Sequence, residues 1–411
     1  MDSLHYQKNK LFFDNLDLEE LSKGITTPFY LYSENLIKQN IKEYISQPND
    51  KILFCYSVKA NSNLSILKLI ASEGMGFDVV SKGELYRVIK AGGDTRKVVY
   101  SGVGKTRAEI RYALENNILC FNVESEGELF VINDEASAMG TTANISIRVN
   151  PDVAVESHPY ISTGMKDNKF GITYKNALAL YRKASKLNSL NIIGIDFHIG
   201  SQITSIRPYI DSIKSIRSLV NDLKKESITI THIDVGGGLG ISYEGEDIVR
   251  KADYIREITD SLKDLNVNIL FEPGRSVIGD CGLLVTQIQY IKESEFKNFM
   301  IIDASMSELI RPPLYNAFHK ITPIIKRDNS YKTYDIVGPV CESADFLGKE
   351  RSMNSEVYDL LVIEDVGAYG FVLSSNYNTR PKPAEYIIKN GSIEEIRTAD
   401  TLDQILTNEL K

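Results

Sequence analysis

Short apolar runs recur eight times in the first two thirds of the chain, and most of them precede a longer amphipathic stretch. The runs are rich in Ile, Val and Phe, as expected for strands that are buried in a parallel sheet. Alternation of strand and helix implies right-handed crossovers between neighbouring parallel strands. The eight runs are Ile52–Tyr56, Gly76–Val80, Val98–Ser101, Ile118–Val123, Ile145–Val149, Ile192–His198, Ile228–Val235 and Ile269–Phe271.

Eight such units within roughly 230 residues fit a closed barrel of eight strands, whose usual size is about 250 residues. After Cys281 helix-like periods become scarce, and strand-like runs alternate with turn residues, which favours antiparallel pairing. An early strand-like run, Phe29–Tyr32, suits the same sheet. We therefore predict an α/β protein with an eight-stranded (β/α) TIM-like barrel over residues 33–281, followed by an antiparallel β domain formed by residues 1–32 and 282–411.

Composition excludes several classes of protein. The net charge of -8 argues against a nucleic-acid partner, and we find no apolar run long enough to span a membrane. The four cysteines are widely spaced, which is neither a disulfide framework nor a zinc pattern, so we expect no metal site. The polar N-terminus and the cysteine pattern favour a reducing cytoplasm.

Polar residues stand where the predicted strands end, which is where a barrel of this type carries its active site. They are Lys59, Asp78, Glu124, Arg148, His198, Asp234 and Glu272. Strand ends are also polar simply because they leave the core. That reading does not explain a lysine, a histidine, a glycine triplet and an arginine that all stand at strand ends.

A glycine triplet, Gly236-Gly237-Gly238, follows the seventh run, and Gly274 follows the eighth. The loops after strands seven and eight of such barrels often bind phosphate, and glycines let backbone N–H groups approach an anion closely. Ser201 can donate its hydroxyl to the same anion. The alternative is that the triplet forms a tight turn.

Together with a phosphate cradle, the strand-end residues include the parts that a pyridoxal phosphate site needs. The amine of Lys59 would hold the cofactor, the ring of His198 would lie against its face, and Glu272 would face its pyridine nitrogen. Each residue also has a plainer interpretation. Lys59 would then be a surface lysine, His198 a core histidine and Glu272 an ion-pair partner.

The residues from about Pro28 to Glu385 resemble the barrel-type pyridoxal phosphate-dependent decarboxylases, and most closely the diaminopimelate decarboxylases. The matching motifs are Tyr56–Asn61, Gly76–Ser81, Arg148–Pro151, His158-Pro159, Ser162-Thr163-Gly164, Lys169-Phe170-Gly171, Phe197–Gln202, Gly236–Gly238, Glu272–Arg275, Arg311-Pro312, Leu314-Tyr315, Gly338-Pro339, Cys341-Glu342-Ser343 and Gly367-Ala368-Tyr369. Their common order along nearly the whole chain makes the resemblance specific.

This resemblance implies a homodimer with active sites at the subunit interface, and it assigns roles by motif match. Lys59 looks like the lysine that holds the cofactor, and Cys341 looks like the acid that protonates the carbanion, with Cys341 and Glu342 supplied by the partner subunit. The implied catalytic residues are Lys59, Cys341, His198 and Glu272. The implied cofactor contacts are Lys59, Asp78, His198, Ser201, Gly236, Gly237, Gly238, Glu272, Pro273, Gly274, Arg275 and Tyr369. The implied substrate contacts are Arg275, Arg311, Tyr315, Glu342 and Tyr369.

The implied reaction is decarboxylation of meso-2,6-diaminopimelate to L-lysine and CO2, the last step of lysine biosynthesis. Arg275 and Arg311 favour it, because arginine grips the distal carboxylate that ornithine or lysine lacks. Arg311 would otherwise balance the charge of the cofactor phosphate.

Two alternatives stay open. One is a decarboxylase of a related substrate, namely lysine, ornithine or another amino acid with a carboxylate tail. The other is a racemase-like or non-catalytic cofactor-binding barrel, which the Cys341-Glu342 pair argues against. The chain departs from the family pattern at Ser307-Glu308, Tyr358 and Val366, and none of these departures removes a catalytic group.

Overall fold

A computed structural model of the protein describes residues 3–46, 49–151 and 169–410. The chain divides into two compact units. The barrel unit comprises Ile41–Ile241 and Asp247–Ser276, and the β unit comprises Met1–Asn40, Ser242–Glu246 and Val277–Lys411. The predicted domain limits, 33–281 for the barrel and 1–32 with 282–411 for the β domain, stay a prediction.

The strands and helices of the described residues are numbered in chain order. Strands β1 to β21 are Leu4–Gln7, Lys10–Phe13, Leu16–Asp17, Phe29–Ser33, Ile52–Ser57, Gly76–Val79, Val98–Tyr100, Cys120–Val123, Ala143–Asn150, Ile172–Thr173, Leu190–Asp196, His232–Asp234, Asn268–Phe271, Gly282–Lys292, Phe299–Ile302, Ile321–Pro323, Lys332–Val337, Phe346–Met353, Leu360–Ile363, Ala384–Lys389 and Ser392–Arg397. Helices α1 to α12 are Leu18–Ser22, Glu34–Ile45, Leu64–Ser72, Lys82–Lys90, Arg107–Glu115, Glu126–Ala138, Tyr174–Ala184, Arg207–Lys225, Lys251–Leu262, Arg275–Ile278, Arg311–Tyr315 and Leu402–Leu406.

Eight parallel strands of the described residues close into a barrel. Their order is β5, β6, β7, β8, β9, β11, β12 and β13, and β13 pairs with β5 to complete the ring. The short strand β10 pairs with β9 outside this ring. Each barrel strand coincides with one of the eight predicted apolar runs, so the predicted barrel is confirmed. The carboxyl ends of the strands therefore gather the polar residues that follow them in sequence.

The β unit contains a mostly antiparallel sheet in the order β18, β17, β15, β14, β4, β20 and β21. Two pairs depart from the antiparallel expectation, since β15 with β17 and β4 with β20 are parallel. Strand β4 carries the predicted N-terminal run and lies between β14 and β20. All five of its residues are buried, as expected for a central strand covered on both faces. The predicted fold class is confirmed.

The longest helix of the described residues is α8, with 19 residues. It buries one apolar face, which includes Ile213, Ile216 and Leu223, and it carries charged residues such as Arg217 on the remaining surface. Within the three described ranges, no helix combines the length and the apolar character that a membrane crossing requires.

Candidate active site

Lys59 lies just beyond the end of β5, in a single helical turn that spans Val58–Ala60. Its Nζ is 2.5 Å from Oδ2 of Asp78, which is on the neighbouring strand β6. The hydroxyl of Ser57 donates to the same oxygen at 2.9 Å. Burial alone would raise the pKa of Asp78, but the charge and the hydrogen bond of Lys59 hold it below its ordinary value. The lysine at the barrel mouth is thus anchored by a buried carboxylate.

Glu272 lies at the end of β13 and is only 3% exposed. Its Oε1 accepts hydrogen bonds from the hydroxyl of Ser101 at 3.4 Å and from the amide of Asn122 at 3.3 Å. Burial raises the pKa of Glu272 well above its ordinary value, and the nearby carboxylates of Asp234 and Asp78 add to the effect. Both effects favour the protonated form of this carboxyl, which suits a group that shares a proton with a basic nitrogen.

The carboxyl groups of Glu272, Asp196 and Asp234 form a buried acidic cluster, with one oxygen of each lying within 4.8 Å of the others. Burial raises the pKa of Asp234 to about 6. Part of the charge is balanced by Arg148, whose Nε is 3.8 Å from Asp196. Oxygens this close cannot all be ionised at low cost, so the cluster shares protons.

His198 follows β11, at the same end of the barrel as Lys59 and Glu272. The backbone N–H of Gly200 donates to its Nδ1 at 3.2 Å. Burial, together with the positive charges of Arg148 and Lys59, lowers the pKa of His198 to about 3. The imidazole is therefore neutral at physiological pH and offers a flat, uncharged face.

The glycine triplet after β12 is required by the close approach of other backbone segments. A Cβ on Gly237 would lie 2.1 Å from the carbonyl oxygen of Glu272, and one on Gly238 would lie 2.3 Å from that of Gly200. Gly238 also has a φ of +102°, which strains other residues. Both interpretations of the triplet, a tight turn and a backbone cradle for an anion, are compatible with this geometry.

The predicted anion contacts meet beside this triplet. Ser201 accepts a hydrogen bond from Nη2 of Arg275 at 3.1 Å, which joins the loops after β11 and β13. Gly274 packs against the end of β5, where a Cβ would be 3.1 Å from that of Ser57. The carbonyl of Pro273 accepts from the N–H of Ser57 at 3.0 Å. The barrel unit thus brings together the predicted lysine, carboxylate, histidine, glycine, serine and arginine groups.

Cys341 and Glu342 lie on an exposed loop of the β unit. Two residues of the segment after Ser374 contact them. The hydroxyl of Tyr377 donates to Oε1 of Glu342 at 2.5 Å, and the Asn378 side-chain oxygen accepts from the N–H of Cys341 at 3.3 Å. Buried Asp345 accepts from the N–H of Val340 at 2.7 Å and so holds the start of the same loop. Cys341 and Glu342 are therefore neighbouring residues on a buttressed loop.

Arg311 begins α11 in the β unit and is 6% exposed. Its Nη1 donates to Nε2 of His319 at 2.7 Å and to the hydroxyl of Tyr243 at 3.1 Å. Tyr315, the last residue of α11, is half-buried. Tyr369 is also half-buried and has a φ of +58°. The structure thus places these three predicted residues, with Cys341 and Glu342, in the β unit.

Several residues of the barrel site are absent from the predicted set. Ser57 supports Asp78, and Ser101 and Asn122 support Glu272. Their sequence signal is a polar residue within or at the end of an apolar run. The motifs His158-Pro159 and Ser162-Thr163-Gly164 lie outside the described residues.

Residues 34–279 match the family of pyridoxal-dependent decarboxylases, over its pyridoxal-binding domain. The chain belongs to this family. Membership in the pyridoxal-dependent decarboxylases confirms both the expected cofactor, pyridoxal phosphate, and the expected enzyme class, a carboxy-lyase. The residues of the barrel unit fit this cofactor, because they provide an amine, a buried carboxyl, a hydroxyl and a loop whose backbone no Cβ obstructs.

Other pyridoxal-dependent decarboxylases resemble the chain over nearly its whole length. A diaminopimelate decarboxylase of Vibrio cholerae is 46% identical over 408 residues, covering 98% of each chain. A diaminopimelate decarboxylase of Pseudomonas aeruginosa is 44% identical and covers 100% of this chain and 99% of its own. The crystal structure of diaminopimelate decarboxylase from Helicobacter pylori complexed with L-lysine has a TM-score of 0.92 at 42% identity, covering 96% of this chain and 99% of that one.

Proposed function

We propose that the chain decarboxylates meso-2,6-diaminopimelate to L-lysine and CO2, which is the last step of lysine biosynthesis. One observation is the main support for this proposal. Relatives named diaminopimelate decarboxylase match the chain from end to end at 44% to 46% identity. The chemistry of the predicted substrate residues agrees with it, since Arg275 and Arg311 suit a substrate that has a second carboxylate.

In this proposal Lys59 holds the cofactor covalently through its amine, and the substrate amine displaces it. The salt bridge to Asp78 supports the assignment, because it fixes the Nζ at the barrel mouth. Asp78 is buried and cannot move far from β6, so it keeps the lysine oriented while the amine exchanges. When bound, pyridoxal phosphate supplies the electron sink that takes up the electron pair left by CO2.

Glu272 is proposed to share its proton with the pyridine nitrogen. The raised pKa of Glu272 and its buried neighbours support this role, because both favour the protonated form of the carboxyl. His198 is proposed to lie against the ring as a neutral, flat partner. The phosphate is proposed to lie on a cradle formed by Ser201, Gly236, Gly237, Gly238, Pro273, Gly274 and Arg275.

For the substrate we propose that Arg311 binds the distal carboxylate and that Glu342 accepts from the distal amine. Arg275, Tyr315 and Tyr369 complete the proposed contacts, Tyr369 also touching the cofactor. Cys341 is proposed to deliver a proton from Sγ to the carbon that has lost CO2. The adjacent positions of Cys341 and Glu342 on one buttressed loop support their joint action.

We also propose a homodimer in which Cys341 and Glu342 serve the active site of the partner subunit. The exposure of both residues supports this assembly, because a proton donor open to bulk water would exchange its proton without controlling where it goes. A second subunit would cover them. The cytoplasmic location inferred from the cysteine pattern stays a prediction.

The substrate is tested by trapping the CO2 released from four amino acids by the holoenzyme. We expect rapid release from meso-diaminopimelate with stoichiometric L-lysine, and at least ~10²-fold lower kcat/KM for lysine, ornithine and arginine, because these lack the carboxylate that a buried arginine would grip. CO2 from lysine or ornithine alone would contradict the proposed substrate while leaving the cofactor assignment intact.

A further inference from the structure

Both ring nitrogens of His319 form hydrogen bonds within the β unit. His319 is fully buried and follows α11 by four residues, just before strand β16. Nε2 lies 2.7 Å from Nη1 of Arg311, and Nδ1 lies 2.8 Å from the carbonyl oxygen of Glu364. The second contact continues the pairing of β16 with β19, in which Ile321 opposes Ile363.

These two partners decide which nitrogen of His319 carries the hydrogen. A guanidinium can only donate, so Nε2 of His319 must accept from Arg311. A carbonyl can only accept, so Nδ1 must donate to Glu364. The ring is therefore a neutral imidazole with its hydrogen on Nδ1, and it is fixed from both sides.

Tyr243 is a second residue that contacts the guanidinium of Arg311. Its hydroxyl accepts from the same Nη1 at 3.1 Å, and its ring centroid lies 5.0 Å from the guanidinium carbon. The rings of Tyr243 and His319 meet edge to face, with centroids 5.4 Å apart. One nitrogen of the guanidinium thus donates to two acceptors, and an aromatic ring lies against the group, which together fix both its position and its plane.

We propose that His319 is a positioning residue that fixes the guanidinium of Arg311 for recognition of the distal carboxylate of the substrate. This inference rests on the proposed function, which gives Arg311 its ligand. A bidentate contact with a carboxylate needs a fixed guanidinium plane, and a 6% exposed arginine gets its orientation from its protein partners rather than from water. His319 acts through Arg311 and touches no reacting atom.

The two hydrogen bonds of His319 can be separated by a matched pair of amide variants. His319→Gln places an amide oxygen near the position of Nε2 and keeps an acceptor for Arg311. His319→Asn places an amide N–H near the position of Nδ1 and keeps the donor to Glu364, but it loses the acceptor. Tyr243→Phe is a third variant, which keeps the ring and removes one hydroxyl acceptor.

Each variant is measured as holoenzyme for KM and kcat with meso-diaminopimelate, and for the dissociation constants of L-lysine and 1,5-diaminopentane. L-lysine, the product, retains the distal amine and carboxylate, whereas 1,5-diaminopentane lacks the carboxylate. For His319→Asn we expect about 10- to 100-fold increases in KM and in the L-lysine dissociation constant. We expect kcat to change less than about 3-fold, 1,5-diaminopentane to bind as it does to wild type, and His319→Gln to stay within about 5-fold of wild type. Tyr243→Phe should show the same selective loss in smaller degree.

A purely structural role would give the opposite pattern. The inference would be overturned if His319→Asn bound L-lysine as wild type does while His319→Gln lost affinity for it. It would also be overturned if a variant lost affinity for L-lysine and 1,5-diaminopentane equally. A loss of bound cofactor in both amide variants, with normal L-lysine binding by Tyr243→Phe, would overturn it as well. Wild-type enzyme that released no CO2 from meso-diaminopimelate would instead refute the proposed function, and this inference with it.

Discussion

Lys59→Ala is expected to lose the visible absorbance band of covalently held pyridoxal phosphate and to lower turnover by at least ~10³-fold. The reason is that Nζ of Lys59 is the amine held 2.5 Å from a buried carboxylate at the barrel mouth. The same change removes the cation that lowers the pKa of Asp78, so the pKa of this carboxyl should rise in the variant. Absorbance spectra and CO2 release under saturating substrate measure the effect.

Two control variants separate the chemistry from the charge. Lys59→Arg keeps a cation beside Asp78 but has no primary amine, so it should retain thermal stability and still lose the band and the activity. Lys68→Ala removes an exposed lysine from the following helix α3 and should change neither. A Lys59→Ala protein that kept its absorbance band and its turnover would show that another lysine holds the cofactor.

Cys341→Ala is expected to lower kcat by about 10²- to 10³-fold while cofactor binding stays normal. The thiol is proposed to protonate the carbon that has lost CO2, and its loop is held by Asn378 and Asp345 through contacts that do not involve Sγ. The alanine variant should therefore keep the loop and lose only the donor. Stopped assays of kcat, with the cofactor absorbance as a control, measure the effect.

A second readout distinguishes slow proton delivery from a damaged site. If Cys341 controls where the proton goes, the variant should release CO2 and incorporate deuterium from D2O with less stereochemical control than wild type. Cys341→Ser should recover only part of the rate, because a hydroxyl is a much weaker acid than a thiol. Normal turnover by Cys341→Ala would remove this residue as the proton donor.

The barrel is predictable from sequence because each of its strands is an apolar run that stands out from its neighbours. Helix α6 has a weaker amphipathic pattern for a physical reason. Glu135 is buried on that helix and pairs with Arg107 and Arg111, so a charge interrupts the apolar face that marks a helix. Amphipathic periodicity weakens where a buried carboxylate that pairs with exposed arginines takes the place of an apolar residue.

The N-terminal hairpins are not among the predicted elements, although the sequence carries a signal for them. Strands β1, β2 and β3 are joined by two-residue turns at Lys8-Asn9 and Asp14-Asn15, and all four residues have positive φ. Such turns favour Asn and Asp, which tolerate the left-handed region. The repeated asparagine between short apolar pairs could therefore have marked both hairpins.

Strand ends predict which residues face the barrel mouth, but not which of them pair. Lys59 and Asp78 meet because β5 and β6 are neighbours in the ring, as the predicted barrel implies, and because the strand register sets Ser57 opposite Asp78, which the sequence does not specify. The contact of Tyr243 with Arg311 cannot be predicted from the sequence. Residues 242–246 belong to the β unit, although barrel segments flank them in sequence.

The most direct test of this account is to reduce the holoenzyme with borohydride, digest it and locate the pyridoxyl group by mass spectrometry. We expect one modified peptide, with the adduct on the Nζ of Lys59, and none in Lys59→Arg. An adduct on any other side chain, or no adduct in protein that retains its cofactor absorbance, would contradict the role of Lys59.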